Sequence, residues 1–126
     1  MNEAEALLRL ALVPGVGPVL AQRLEQAFGS LAAAFAQRMD RLQAVEGVGP
    51  ERARRICDPR GEETVAAERA RCAAAGVRIL TRHDAGWPKD LAVLPDQPLA
   101  LWVQGELEPR DRLAVAVVGQ IGRAHV

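Results

Sequence analysis

The chain has 126 residues, 49% of them hydrophobic, with sixteen basic residues against sixteen acidic ones and a formal charge of zero. That size suits one ordinary core, or one small domain and part of a second, and the balanced charge excludes a protein that gathers polyanions by its bulk field. Charged residues break the alanine-rich stretches well before the roughly eighteen apolar residues that a membrane span needs, so no membrane association is expected. Two glutamates among the first five residues and no basic leader argue against a secretory signal. Cys57 and Cys72 lack metal-ligand spacing and suit reduced thiols, so a cytoplasmic protein is expected.

In chain order, Asn2 and Glu5 resemble a capping box that opens a helix near residue 3, with Ala6, Leu7, Leu10 and Ala11 on one face. Pro14-Gly15 ends it. Pro18 fits the first position of a second helix, where its missing N–H is no loss. That helix turns Leu20, Leu24 and Ala27 inward and stops at Phe28-Gly29. Ser30 caps a third helix through about Gln37, and Asp40 with Gln43 suggests another capping box before a short turn. Pro50 starts the next helix, which ends near Asp58-Pro59. Residues 61–75 read as a polar, alanine-rich helix with Gly76 as its natural stop. Three apolar runs follow, at 77–80, 99–103 and 113–118, and they predict strands. The expected fold class is α+β: an all-α domain over 1–60, a connecting helix over 61–76, and the start of an α/β domain over 77–119.

The helical part contains an internal repeat. Val13-Pro14-Gly15-Val16-Gly17-Pro18 returns thirty-two residues later as Val45-Glu46-Gly47-Val48-Gly49-Pro50, and Ala21 and Leu24 are matched by Ala53 and Ile56. An apolar-x-Gly-apolar-Gly turn followed at once by a helix is the pattern of a helix-hairpin-helix unit. Glycine supplies the unusual φ the turn needs and leaves no Cβ in the way of an approaching phosphate. The amides of the following helix start point the same way. The candidate phosphate contacts are therefore Gly15, Val16, Gly17, Gly47, Val48 and Gly49, with Arg23, Arg52 and Arg55 able to reach a neighbouring phosphate. Glu46 and Glu51 flank only the second hairpin and would repel phosphate, which favours Gly15 and Gly17 if one hairpin binds.

No catalytic constellation emerges. The single lysine, Lys89, lies far from the hairpins, and Asp58 reads as a helix stop before proline. His83 and His125 lack partners at metal spacing, so neither metal nor cofactor is expected. Asp84, Asp90 and Asp96 fall in a turn-rich stretch where aspartate is the ordinary choice.

Ile79-Leu80-Thr81, Asp84, Trp87-Pro88, Leu91, Asp96-Gln97-Pro98, Leu101-Trp102-Val103-Gln104-Gly105 and Val115-Ala116-Val117-Val118-Gly119 follow the helical repeat in an order that resembles the DprA/Smf family of DNA-processing proteins. The family usually has tyrosine where this chain has Trp87. The resemblance implies a SAM-like tandem helix-hairpin-helix domain, then an extended Rossmann-like domain with Gly119 in its first loop. It also implies a non-enzymatic role in natural transformation: binding single-stranded DNA, loading the RecA recombinase onto it, and forming a homodimer when intact. A basic pocket at the carboxyl ends of parallel strands is physically suited to that task.

After Gly119 the chain departs from the family pattern, with Ile121 where an arginine is expected. Residues 120–126 are expected to be a non-native tail, because Ile-Gly-Arg-Ala-His-Val is the one-frame translation of a widely used sequencing adapter. The chain is thus read as an N-terminal fragment lacking most of the DNA pocket, whose strands would expose unpaired edges, so that it aggregates or keeps only residues 1–75 well ordered. Two alternatives stay open: a fragment of a nucleotide- or phosphoribosyl-binding Rossmann-like enzyme, and a helix-hairpin-helix module used for protein docking.

Overall fold

The computed structural model describes residues 1–105. The strand expected at 113–118, the loop glycine Gly119, His125 and the tail at 120–126 lie outside the described residues. The helical part begins with α1 (Glu3–Ala11), α2 (Pro18–Phe28), α3 (Leu31–Phe35), α4 (Met39–Gln43) and α5 (Gly49–Ile56). The longer α6 (Gly61–Ala75) leads to β1 (Val77–Leu80), the single turn α7 (Lys89–Ala92) and β2 (Leu101–Gln104).

Local chemistry explains most boundaries. The Asn2 side chain accepts from the Glu5 amide at 2.8 Å, and Ser30 Oγ accepts from Ala33 N at 3.0 Å, so both act as N-caps. Pro18 opens α2, and Gly29 and Gly76 close α2 and α6 with left-handed φ angles of 89° and 71°. The Glu3 carboxylate adds a cap the sequence did not disclose, taking Leu31 N at 3.1 Å and Ala32 N at 2.8 Å at the start of α3. Three expectations fail locally. α3 stops at Phe35 instead of Gln37, and α4 starts after Arg38 with no side-chain cap, so Asp40 sits inside the helix rather than capping it. Ala27 faces solvent, while Leu8, unassigned by periodicity, is 1% exposed.

One core joins the two repeats. Leu7, Leu10, Leu24, Leu31, Leu42 and Val48 are its largest fully buried members, and Val13, Val16 and Val45 pack against it from the hairpins. Leu99, from the strand-rich part, leans on the same core.

Beyond Gly76 the two described strands pair antiparallel, with Val77 opposite Gln104 and Leu80 opposite Leu101. They therefore satisfy each other's facing edge, and among the described residues their outer edges pair with no further strand. The second strand is Leu101–Gln104, a little later than the expected 99–103. An antiparallel ribbon is not the parallel sheet of a Rossmann-like start, whose next strand would fall outside the described residues. A satellite core of Leu80, Trp87, Leu101 and Val103, with Leu91 against it, covers one face of the ribbon.

The family motif residues build this small unit. Asp84 Oδ2 accepts from Thr81 N at 2.6 Å and from the Thr81 hydroxyl at 3.1 Å, closing the turn after β1. Trp87 is buried and donates its indole N–H to Gln97 Oε1 at 2.8 Å. Asp84 is thus a turn residue, as its setting suggested.

Two polar contacts tie the ribbon to the helices. Arg82 pairs with Glu25 at 2.5 Å, and the Trp102 indole donates to Glu68 Oε2 at 2.7 Å. Glu68, only 6% exposed in the middle of α6, also takes both Nε and Nη2 of Arg71 and faces the Cys72 thiol. Burial raises the Glu68 pKa, but the Arg71 and Trp102 hydrogen bonds outweigh it and hold the carboxyl below its ordinary value. The same carboxylate and burial push the Cys72 thiol up, which suits an inert cysteine.

Candidate nucleic-acid interface

The two hairpins are both exposed at their first glycine and both turn sharply, with φ of 86° at Gly15 and 88° at Gly47. Their backbone bonds repeat with the sequence. Val13 N and Val45 N reach back to Leu10 O and Leu42 O, and Val16 N and Val48 N donate to Val13 O and Val45 O. The amides of Val16 and Val48 therefore close the turns, and the Val48 side chain belongs to the core. Those two candidates serve to hold the hairpins rigid.

The second glycines are the uncrowded ones, though half-buried where Gly15 and Gly47 are exposed. A Cβ placed on Gly17 or Gly49 would meet nothing within 4 Å. Gly17 is the N-cap of α2 and has no side-chain oxygen to offer its first turn. Among the described residues the Gly17 N–H meets no acceptor, and the first amides of any helix lack intrahelical partners. The start of α5 is likewise without a side-chain cap. Open space, unpaired donors and a positive helix end converge there, as phosphate recognition requires.

The arginines do something the sequence did not disclose. Arg23, from the first unit, donates to Glu46 O of the second hairpin at 3.1 Å, while Arg55, its repeat mate, donates to Pro14 O of the first at 3.3 Å. Arg52 spans the two, with Nε on Gly15 O at 2.8 Å and Nη1 on Gly47 O at 3.2 Å. Each unit thus clamps the other's hairpin through equivalent positions, the contact pattern of two-fold related partners. The first glycines exist for this contact. A Cβ on Gly15 would lie 3.2 Å from Arg52 Nε, and one on Gly47 would lie 2.7 Å from Arg23 Nη1 and 2.9 Å from Leu20 Cδ2.

Arg23, Arg52 and Arg55 therefore bind hairpin carbonyls within the fold. These bonds lie at the surface, so the positive charge stays beside the hairpins. The matching offsets of Arg23 and Arg55 were the available signal; their crosswise pairing needed the tertiary structure. At the second hairpin Glu51 is drawn off by Arg54 at 2.7 Å and Arg55 at 3.6 Å, which reduces the repulsion expected from it. Glu46 remains exposed.

Among the described residues no three His, Cys, Asp or Glu side chains converge as metal ligands, and no helix is long and apolar enough to cross a membrane. Cys57 and Cys72 are both free thiols, the first exposed and the second buried.

Comparison with known families agrees with this arrangement. Residues 6–58 match the family model of the SAM-like helix-hairpin-helix tandem. Residues 78–123 match that of DNA recombination-mediator protein A, DprA. Together the two matches are those of a DprA N-terminal fragment. The order of the two matches is that of the N-terminal part of a DprA protein, and the family role is mediation of DNA recombination rather than a known catalytic reaction. No solved structure matches the chain. Within this chain the matched tandem coincides with the two clamped hairpins, and the start of the second match falls on β1.

Proposed function

We propose that the helical domain holds the sugar-phosphate backbone of DNA at the outward edges of its hairpins, chiefly at Gly17, within a cytoplasmic mediator that binds single strands and loads RecA. The observation that carries this reading is the open, uncapped start of α2 at Gly17, in a hairpin whose Pro14 and Gly15 carbonyls hold the guanidinium groups of Arg55 and Arg52. Backbone amides recognise phosphate without reading bases, so the reading predicts little sequence preference. Loading of RecA, self-association and the Rossmann-like DNA pocket rest on the family match and concern the intact protein.

The test is fluorescence anisotropy of the full chain with labelled single- and double-stranded oligonucleotides. Binding should weaken steeply with salt as counterions are no longer released. Gly17→Asp separates binding from folding. The φ of −125° suits aspartate, nothing crowds its Cβ, and aspartate is a better N-cap than glycine. The variant should melt at the same temperature or slightly higher, yet bind about ten- to a hundredfold more weakly, because its carboxylate takes the amides that a phosphate would use. Unchanged affinity would remove the hairpin from the interface. No binding by the parent chain at low salt would leave protein docking as the better account.

A further inference from the structure

A cavity of about 200 Å³ opens beside the first hairpin, lined there by Leu12, Val13 and Pro14. Arg9 from α1 and Arg55 from α5 reach into it, with Asp58, Gly61 and Thr64 completing the rim. Neither HhH unit alone forms this cavity, because α6 supplies part of it.

Arg9 is held rather than loose. Its guanidinium lies 4.8 Å from the Phe35 ring centroid, and Nη2 donates to Asp58 O at 3.2 Å. A Cβ on Gly61 would sit 2.3 Å from Arg9 Nε, so the glycine provides the space the guanidinium occupies. Among the described residues no carboxylate lies within ion-pair distance of Arg9. The acid on the rim is already neutralised from outside: Arg60 takes both Asp58 oxygens, at 3.2 and 3.1 Å, and its bonds hold the Asp58 pKa below the ordinary carboxylate value. The Thr64 hydroxyl is spent on Arg60 O at 3.0 Å. What remains at the cavity is the unpaired positive charge of Arg9 beside Arg55, whose guanidinium also pairs with the exposed Glu51 at 3.6 Å, in a space large enough for a tetrahedral oxyanion.

We infer that the Arg9–Arg55 cavity is a second backbone subsite, taking the phosphodiester next to the one on the first hairpin. The inference rests on the hairpin reading above, since Pro14 is shared by the hairpin and the cavity wall and Arg55 donates to its carbonyl. Pro14, which lines the cavity, lies three residues before Gly17 in the same hairpin, so on this reading a polymer with regularly spaced anions engages both places at once. The subsite contacts no base, so it adds affinity and salt dependence without sequence preference.

The test compares the full chain with Arg9→Gln and Gly17→Asp, by anisotropy against one labelled oligonucleotide across a salt series. Arg9→Gln should bind about tenfold more weakly at low salt and lower the slope of log K against log salt by about 0.7 on single strands or about 0.9 on duplex. A slope unchanged from the parent, with Gly17→Asp still losing affinity, overturns the cavity and keeps the hairpin. Loss on Arg9→Gln with Gly17→Asp unaffected keeps the cavity as an anion site and overturns the hairpin. No binding by the parent overturns both. Because Arg9 also packs on Phe35, the unaltered chain supplies a readout independent of the variant's folding: on titration with the same oligonucleotide, the Arg9 Nε–H and Gly61 amide resonances should shift along with that of Gly17. Movement of Gly17 alone overturns the subsite.

Discussion

Replacing Gly15 and Gly47 together by alanine is expected to destabilise the helical domain by about 2–4 kcal/mol, read as a fall in the midpoint of urea unfolding. Each site has a φ near +87°, where a side chain costs roughly 1–2 kcal/mol. Each added methyl also enters the space of a clamping side chain, Arg52 at one hairpin and Arg23 with Leu20 at the other. Those neighbours are flexible and can move aside, but moving breaks their bonds to Gly15 O and Glu46 O. Set against a total of roughly 0.05–0.15 kcal/mol per residue, that is a large share of what a sixty-residue domain has. Gly17→Ala is the matched control. Its φ is −125° and its surroundings are open, so it should stay within about 0.5 kcal/mol of the parent. Equal losses in the double variant and the control would mean that the first glycines have no special place between the units.

Glu68→Leu should detach the strand ribbon from α6, at a cost of about 1–3 kcal/mol, the range for stranding a buried donor. The stranded group is the Trp102 indole N–H, which has Glu68 as its acceptor. Losing Arg71 as a partner adds little, because that side chain is 59% exposed and returns to water. The melting temperature should fall by about 5–15 °C. The Trp102 emission should shift red while the helical signal persists longer. Acid gives an independent check. The folded pKa of Glu68 is depressed, so its contribution is present above the ordinary carboxylate pKa of about 4.3 and is lost as pH falls through the lower folded value. Glu68→Gln should show a shallower loss of stability on acidification than the parent, and coincident curves would show that Glu68 does not fasten the ribbon.

The repeat was legible because its determinants are local. A glycine at positive φ, a proline at the first helical position and apolar residues on either side need only a few neighbours to act, and they appear in order in the chain. Asn2 and Ser30 were legible as caps for the same reason. Asp40 misled because cap chemistry depends on where the chain actually enters the helix, and here it enters after Arg38. The crosswise arginine clamps, the burial of Glu68 and the antiparallel pairing of β1 with β2 depend on segments far apart in sequence, up to forty-one residues for Arg55 and Pro14. No local pattern encodes those partners. A polar, alanine-rich stretch gives no sign that one of its glutamates will be interred under a tryptophan.

The site followed the same division. Which loops carry the glycines was apparent from the chain, but the two glycines of each loop turned out to have different tasks. Gly15 and Gly47 admit the opposite unit, whereas Gly17 and Gly49 leave room outside. The three arginines assigned to phosphate are occupied with hairpin carbonyls, while Arg9, never singled out in the sequence, lines the cavity beside the first hairpin.

The Glu3 carboxylate seated on the amides of Leu31 and Ala32 has a consequence for how this surface is used. A two-oxygen anion supplied by the protein itself already sits on the start of α3, so that end is plugged from within. On the proposed reading, a passing strand would find no free amides there, and the positive helix ends left open would be those at the hairpins. A residue that touches no ligand would then help to set the track of the strand.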